Sequence, residues 1–294
     1  MRALVLGASG QVGTALGERL AARGHSWVGT YARVSRPGLV PLDIADPAPT
    51  RRLIAESAPD WVFCVGALTH VDHCEEHPEE AFRLNRDAPA LVAREAAGRG
   101  AGIVFYSTEY VFDGTAGPYA EDDPVNPLSV YGRSKLEGER GVAAANPRVI
   151  IVRTTVVYGP EPQGKNFVYQ LLRRARAGER MRAPADQVSS PTYNPDLAAA
   201  SVELAELGRP GVYHVAGPEV LDRHAFARVV CRVFELDEGL LEPVATAALG
   251  QLARRPLRAG LRIDRARSAL ATPLRGPEEG LRAMREALGE ARGG

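Results

Sequence analysis

The chain has 294 residues, 45% hydrophobic and 24% charged, which suits a soluble globular protein of one large or two unequal domains. Lys+Arg and Asp+Glu both number 36, so the formal net charge is zero; this argues against nucleic acid or an anionic membrane as the main partner. The three cysteines, Cys64, Cys74 and Cys231, are too few and too scattered for a disulfide framework, no apolar run nears the ~20 residues of a membrane span, and the first residues carry no cleavage pattern, so a cytoplasmic protein is expected.

The predicted elements alternate from the start. "ALVL" (3–6) is a short apolar strand running into glycines. "QVGTALGERLAARG" (11–24) has helical spacing, with Val12, Leu16 and Leu20 on one face and Gly24 at its end. "SWVGTY" (26–31) reads as a strand, "PAPTRRLIAESAP" (47–59) as a helix and "DWVFCVGA" (60–67) as a buried strand. "PEEAFRLNRDAPALVAREAAGRG" (78–100) predicts one long helix with proline in its first turn and glycine at its end. A strand (101–108), a helix (130–145) and a strand (148–159) follow. Such alternation predicts an α/β fold, a Rossmann doubly wound parallel sheet. Residues 1–158 are expected to form the first domain. Residues 159–294 are expected to be mainly a smaller C-terminal α/β unit, with 190–218 crossing back to the first sheet. Helices are predicted over 165–179, 196–207, 221–236 and 277–292, with a strand over 211–217.

Between the first strand and helix, "LGASGQVG" places Gly7, Gly10 and Gly13 at G-x-x-G-x-x-G spacing. Small residues there let a backbone approach a pyrophosphate, and the helix start offers free N–H groups. After the second strand come Thr30, Arg33 and Arg36, with no acid before Asp43. A hydroxyl and guanidiniums suit a 2′-phosphate better than a 2′-hydroxyl, which favours NADPH and leaves NADH as the other option. "SVYGRSKLEGER" holds Lys135, one of two lysines in the chain, four residues after Tyr131. The pair shares one helix face, turned to a site and not to the core. A fixed ammonium lowers a nearby phenol's pKa, and a slim head group passes the ring where a guanidinium would not. The strand before it ends in Ser107 and Thr108, followed by Tyr110, where a hydroxyl can hold a carbonyl oxygen.

These segments resemble the extended short-chain dehydrogenase/reductases and, among them, the dTDP-4-dehydrorhamnose reductase family. "GASGQVG", "STEYVFDG", "VYGRSKLEGE", "RTTVVYG", "GKNFV", "DQVSSPT" and "RRPLRAGL" carry the likeness, in order, from residue 3 to about 270. The resemblance implies a dinucleotide-binding Rossmann domain over residues 1–158, a smaller C-terminal α/β substrate domain mainly over 159–294, and NADPH-dependent reduction of the 4-keto group of a deoxysugar nucleotide, dTDP-4-dehydrorhamnose to dTDP-L-rhamnose. It makes Tyr131 the proton donor, Lys135 its partner on the nicotinamide ribose and Thr108 the carbonyl-binding hydroxyl. Gly7, Gly10, Gln11, Val12, Thr30, Arg33, Asp43, Ile44, Gly66, Ala67 and Thr69 would line the cofactor, and Asn85 would support Lys135. Thr69, Val71, Tyr110, Asp186, Gln187 and Arg255 would meet the substrate. Val156 and Ala259 depart from the tryptophan and serine usual there. The resemblance leaves a homodimer and a divalent cation open. A second reading is a non-catalytic NADP-binding regulatory subunit, since the chain is also similar to the beta subunit of methionine adenosyltransferase.

"HVDHCEEH" (70–77) concentrates His70, His73, Cys74 and His77. No second ligand pair follows to close a zinc loop, so a solvated loop with no metal is expected there, and nothing marks Cys74 as an activated thiol.

Overall fold

The computed structural model describes residues 1–289. Seven parallel strands form the frame: β1 (Arg2–Leu6), β2 (Ser26–Tyr31), β3 (Val40–Pro41), β4 (Trp61–Cys64), β5 (Gly102–Thr108), β6 (Val149–Thr154) and β7 (Gly211–His214). Their order is β7-β6-β5-β4-β1-β2-β3. The chain winds outward from β1 to β3, then returns to β4 on the other side of β1. That reversal opens a crevice beyond the carboxyl ends of β1 and β4.

Helices α1 (Gln11–Ala22), α2 (Pro47–Ser57), α3 (Val71–Glu76), α4 (Pro78–Phe82), α5 (Ala88–Ala97) and α6 (Val130–Ala145) lie between these strands. Then come α7 (Phe167–Arg176), α8 (Asn194–Leu207), α9 (Arg223–Phe234), α10 (Asp264–Ala269) and α11 (Pro277–Ala287). Apolar runs without alternation follow from burial on both sheet faces. In β1, Ala3 and Val5 pack toward α1 and α8, while Leu4 and Leu6 pack toward α2 and α5. A third core joins α7, α9 and α11, with Phe226, Leu171 and Met284 fully or almost fully buried. Three short strand pairs accompany it: Thr192–Tyr193 with Val157–Tyr158, Val188–Ser189 with Leu221–Asp222, and Met181–Pro184 with Leu241–Val244. The predicted extension of the last helix to residue 292 passes beyond the described residues. No helix among them is long and apolar enough to cross a membrane.

Two predicted elements are interrupted, both beside the crevice. The helix expected over 78–100 is α4, a π-helical turn over Arg83–Asp87, and α5. Pro89 explains the break: it has no N–H for the Asn85 carbonyl and its ring crowds that position. The strand expected over 148–159 stops at Thr154. Val156 has φ +42°, an uncommon setting for a β-branched residue, and turns the chain out of the sheet.

Candidate active site

A cleft of about 940 Å³ lies along the carboxyl ends of β1, β2, β4, β5 and β6. Gly7, at φ +90°, begins its floor; a Cβ there would sit 2.9 Å from the Gly66 nitrogen, so only glycine lets the two loops touch. The Gly7 N–H donates to the Thr30 Oγ1 at 3.1 Å, which joins the ends of β1 and β2. Gly10 starts α1 with no side-chain cap, so the first N–H groups of that helix, carried by the cleft-lining Gln11 and Val12, are available to an anion. Asp43 and Ile44 line the same side, the Asp43 Oδ1 accepting from the Ala45 N–H at 2.9 Å. Arg33 also lines it, with an 81% exposed side chain and only a loose 3.8 Å contact to Glu80. Arg36 does not: it donates to the Thr14 hydroxyl at 2.8 Å. An uncapped helix start and a bare glycine floor fit the pyrophosphate of a dinucleotide.

The loop after β4 brings Gly66, Ala67, Thr69 and Val71 to the opposite wall. Asn85, fully buried in the π turn, holds that loop. Its Oδ1 accepts from the Leu68 N–H at 2.8 Å, and its Nδ2 donates to the Leu68 carbonyl and the Ser134 hydroxyl, both at 3.0 Å. Gly138 of α6 makes this contact feasible, because a Cβ there would overlap the Asn85 carbonyl oxygen. Asn85 thus ties the cleft wall to the helix that bears Tyr131 and Lys135.

Thr108, Tyr110, Tyr131 and Lys135 line the middle of the cleft. Ser129 caps α6, accepting from the Gly132 N–H at 3.1 Å, and this sets where the Tyr131 turn begins. The Tyr131 ring packs edge-on against Tyr110, centroids 5.5 Å apart. Burial pushes the Tyr131 phenol above its usual range, with the neighbouring Thr108 hydroxyl opposing part of the rise. The expectation that Lys135 lowers this pKa is not met in the ligand-free site. Lys135 instead sits over the Phe105 ring, Nζ 4.1 Å from the centroid, and burial pushes it down to about 8. It is 3% exposed, yet it lines the cleft, on the site-facing side of the helix.

Ser107 lines the cleft but is committed elsewhere. It donates to the Glu139 Oε1 at 2.5 Å, and Arg153 forks onto the same carboxylate at 2.9 and 2.7 Å. This buried group clamps β5, β6 and α6 together, and leaves Thr108, whose Oγ1 accepts from the Tyr110 N–H at 3.2 Å, as the strand-end hydroxyl beside Tyr131.

Three expected substrate residues do not line the cleft. Asp186 accepts from the Thr246 N–H at 2.8 Å and from its hydroxyl at 2.6 Å, a loop-holding role. The Gln187 backbone carbonyl accepts from the Arg223 N–H at 3.0 Å, while its side chain meets the Tyr110 hydroxyl. Arg255 donates to the Asp72 Oδ1 at 2.9 Å and fastens the C-terminal unit to α3, while its Nη1 is buried without a hydrogen-bond partner. Partners within the protein hold Asp186, Gln187 and Arg255 away from the cavity lining. Among the lining residues that were not anticipated are Glu109, Thr155, Phe167 and Arg223. The position of Glu109 directly after Thr108 was the one available signal.

In the histidine-rich segment, His70 caps α3 by accepting from the His73 N–H at 3.1 Å, and His73 Nε2 lies 2.8 Å from the Glu80 Oε2. Among the described residues, His73, Glu76 and His77 bring ligand atoms within 4.8 Å of one another. Cys74 is buried, and its thiol is pushed up to about 11. With His73 already engaged by Glu80, purified protein is expected to carry less than one zinc per chain, and His73→Ala to leave folding intact. One zinc per chain by elemental analysis, lost on that substitution, would overturn this.

Residues 1–289 match the model of the family described as RmlD substrate binding domain. The chain is 35% identical over 299 residues to a dTDP-4-dehydrorhamnose reductase of Sinorhizobium fredii, covering 98% of each. It is 34% identical over 263 residues to methionine adenosyltransferase 2 subunit beta of Xenopus tropicalis, covering 86% of this chain and 78% of that one. Its fold superposes with a TM-score of 0.90 on a dTDP-4-dehydrorhamnose reductase of Clostridium acetobutylicum, 32% identical, covering 98% of this chain and 100% of that one. The same score relates it to the Bacillus anthracis reductase in complex with NADP, 28% identical, covering 97% and 99%. The chain therefore belongs to the RmlD substrate binding domain family, among the oxidoreductases that resemble dTDP-4-dehydrorhamnose reductase.

Proposed function

We propose that the chain reduces the 4-keto group of a deoxysugar nucleotide with NADPH, converting dTDP-4-dehydrorhamnose to dTDP-L-rhamnose. The observation that carries this reading is the convergence of Thr108, Tyr131 and Lys135 in one cleft with the uncapped glycine loop. When bound, the reduced nicotinamide supplies the hydride. Thr108 presents a hydroxyl to the ketone oxygen and orients it. Tyr131, kept protonated by burial, delivers its proton to that oxygen as negative charge develops there. Lys135, one helical turn on, supplies positive charge on the same face. NADPH oxidation with a panel of dTDP-4-keto sugars tests the proposal, and absence of turnover with all of them would sink it.

The likeness to the methionine adenosyltransferase subunit supports a second reading, a cofactor-binding partner protein. No turnover, tight NADP binding and co-purification of a methionine adenosyltransferase would select it.

Arg33 supports the choice of NADPH. Its side chain is 81% exposed and held only by the 3.8 Å contact to Glu80, which leaves guanidinium N–H groups for a 2′-phosphate. Arg33→Ala is expected to weaken NADPH by about 10- to 100-fold and to leave NADH nearly unchanged, as truncation of a charge-assisted hydrogen bond would. Equal affinity for both cofactors in the unmodified protein, read by fluorescence titration, would count against it.

A further inference from the structure

One charge in the cleft has no part in the chemistry above. Arg223 is the first residue of α9, and its guanidinium carbon lies 5.0 Å from the centroid of the Phe167 ring. Its side chain lines the cleft and makes no ion pair among the described residues. This sets it apart from Arg153, Arg255 and Arg275, each of which is held by a carboxylate. The groups that act on it are Tyr110 and Glu109, the two residues after Thr108.

Glu109 does not neutralise it. The Glu109 carboxyl is 5% exposed, and its Oε2 has no hydrogen-bond partner. Burial pushes it up to about 8, against the opposing influence of Thr155 and Arg223, which favours its neutral form. A guanidinium stacked on a ring keeps its N–H edges free, and its planar fork matches a phosphate or carboxylate. In a partly desolvated cleft an uncompensated cation calls for an anion.

We propose that Arg223 binds an anionic oxygen group of the substrate, either a phosphate of the nucleotide diphosphate or a carboxylate on the sugar. Its place beside Tyr110 and Glu109 puts it on the Thr108 side of the cleft, away from the Gly7, Thr30 and Arg33 cradle. The inference rests on the nucleotide-sugar reading and adds a recognition residue to it.

The test is calorimetric titration of the full chain, loaded with NADP, by dTDP, dTMP, UDP-glucose and UDP-glucuronic acid. Arg223→Met keeps the apolar stem over Phe167, Arg223→Lys keeps the charge, and unchanged NADP binding by each reports an intact fold. If the partner is the diphosphate, Arg223→Met weakens dTDP by about 10- to 100-fold and dTMP much less, and Arg223→Lys recovers part of the loss. If it is a sugar carboxylate, dTDP is unaffected, and a preference of the unmodified chain for UDP-glucuronic acid over UDP-glucose disappears in Arg223→Met. Equal affinities in Arg223→Met and the unmodified chain for every probe overturn the proposal, as does an unmodified chain that binds none of them. Because binding is read without turnover, failure of every 4-keto sugar as a substrate would remove the reductase reading and leave the Arg223 result to stand or fall by itself.

Discussion

Tyr131→Phe is expected to lower turnover of a 4-keto sugar nucleotide by ~100-fold to ~10,000-fold while NADPH still binds, the range for loss of a positioned general acid. The substitution removes one oxygen and leaves the ring. That ring is the part that packs against Tyr110, so the fold and the cleft wall should persist. Burial keeps the phenol protonated through neutral pH, so the proton is always present to be given; what the variant loses is the gift itself. Thr108 remains in Tyr131→Phe and still orients the ketone, which accounts for residual activity above the uncatalysed rate. Steady-state kinetics paired with NADPH titration reads both halves. A drop of only a few fold would mean that water or another side chain delivers the proton, and the assignment of Tyr131 would fall.

The parts of the molecule that were legible in the sequence are those set by local chemistry. The strand-to-helix turn at Gly7–Gly13 is dictated by backbone approach, and the apolar runs of β1 and β4 by burial on two faces. The four-residue spacing of Tyr131 and Lys135 puts both on one helix face, and both line the cleft. What could not be read depends on partners distant in the chain. The π turn needed Pro89 to be weighed against the Asn85 carbonyl, and the fit of that carbonyl against Gly138 is visible only once α6 is docked. Glu139 looked like one more acid on a charged helix until Arg153 and Ser107 were brought to it. Asp186 and Arg255 were expected at the substrate from the resemblance of their motifs, yet Thr246 and Asp72 claim them. Arg223, one arginine among many, stands out only because the fold gives it an aromatic face and no carboxylate.

Lys135 should reveal itself by an opposition between stability and activity. An ammonium at 3% exposure, with its pKa near 8 against the usual ~10.4, is held charged at neutral pH at a cost of about 3 kcal/mol. The charge of Glu139 opposes the effect of burial, and the Phe105 ring face lies under the ammonium. Below pH 8 the lysine is protonated in both the folded and the unfolded chain, so the cost is constant. Between about 8 and ~10.4 the unfolded chain binds more protons than the folded one, so ligand-free stability should rise with pH across that window. Lys135→Met fills similar space without charge. It is expected to raise the ligand-free Tm at pH 7 by about 2–6 °C, as a gain of ~1–3 kcal/mol would, and to flatten the rise above pH 8. The same variant should lose most turnover, because nothing then supplies positive charge beside Tyr131. Lys135→Arg should do worse on both counts. Its guanidinium stays charged at every accessible pH, faces a Glu139 carboxylate already taken by Arg153 and Ser107, and is broader than an ammonium. Calorimetric melting from pH 6 to pH 10, alongside kinetics, separates this from an ordinary exposed Tyr–Lys pair, which contributes only ~0.2–0.5 kcal/mol and would leave all three quantities near those of the unmodified chain. A Lys135→Met variant that melts lower, or a Lys135→Arg variant near full rate, would end the account of a compact charge held under strain for catalysis.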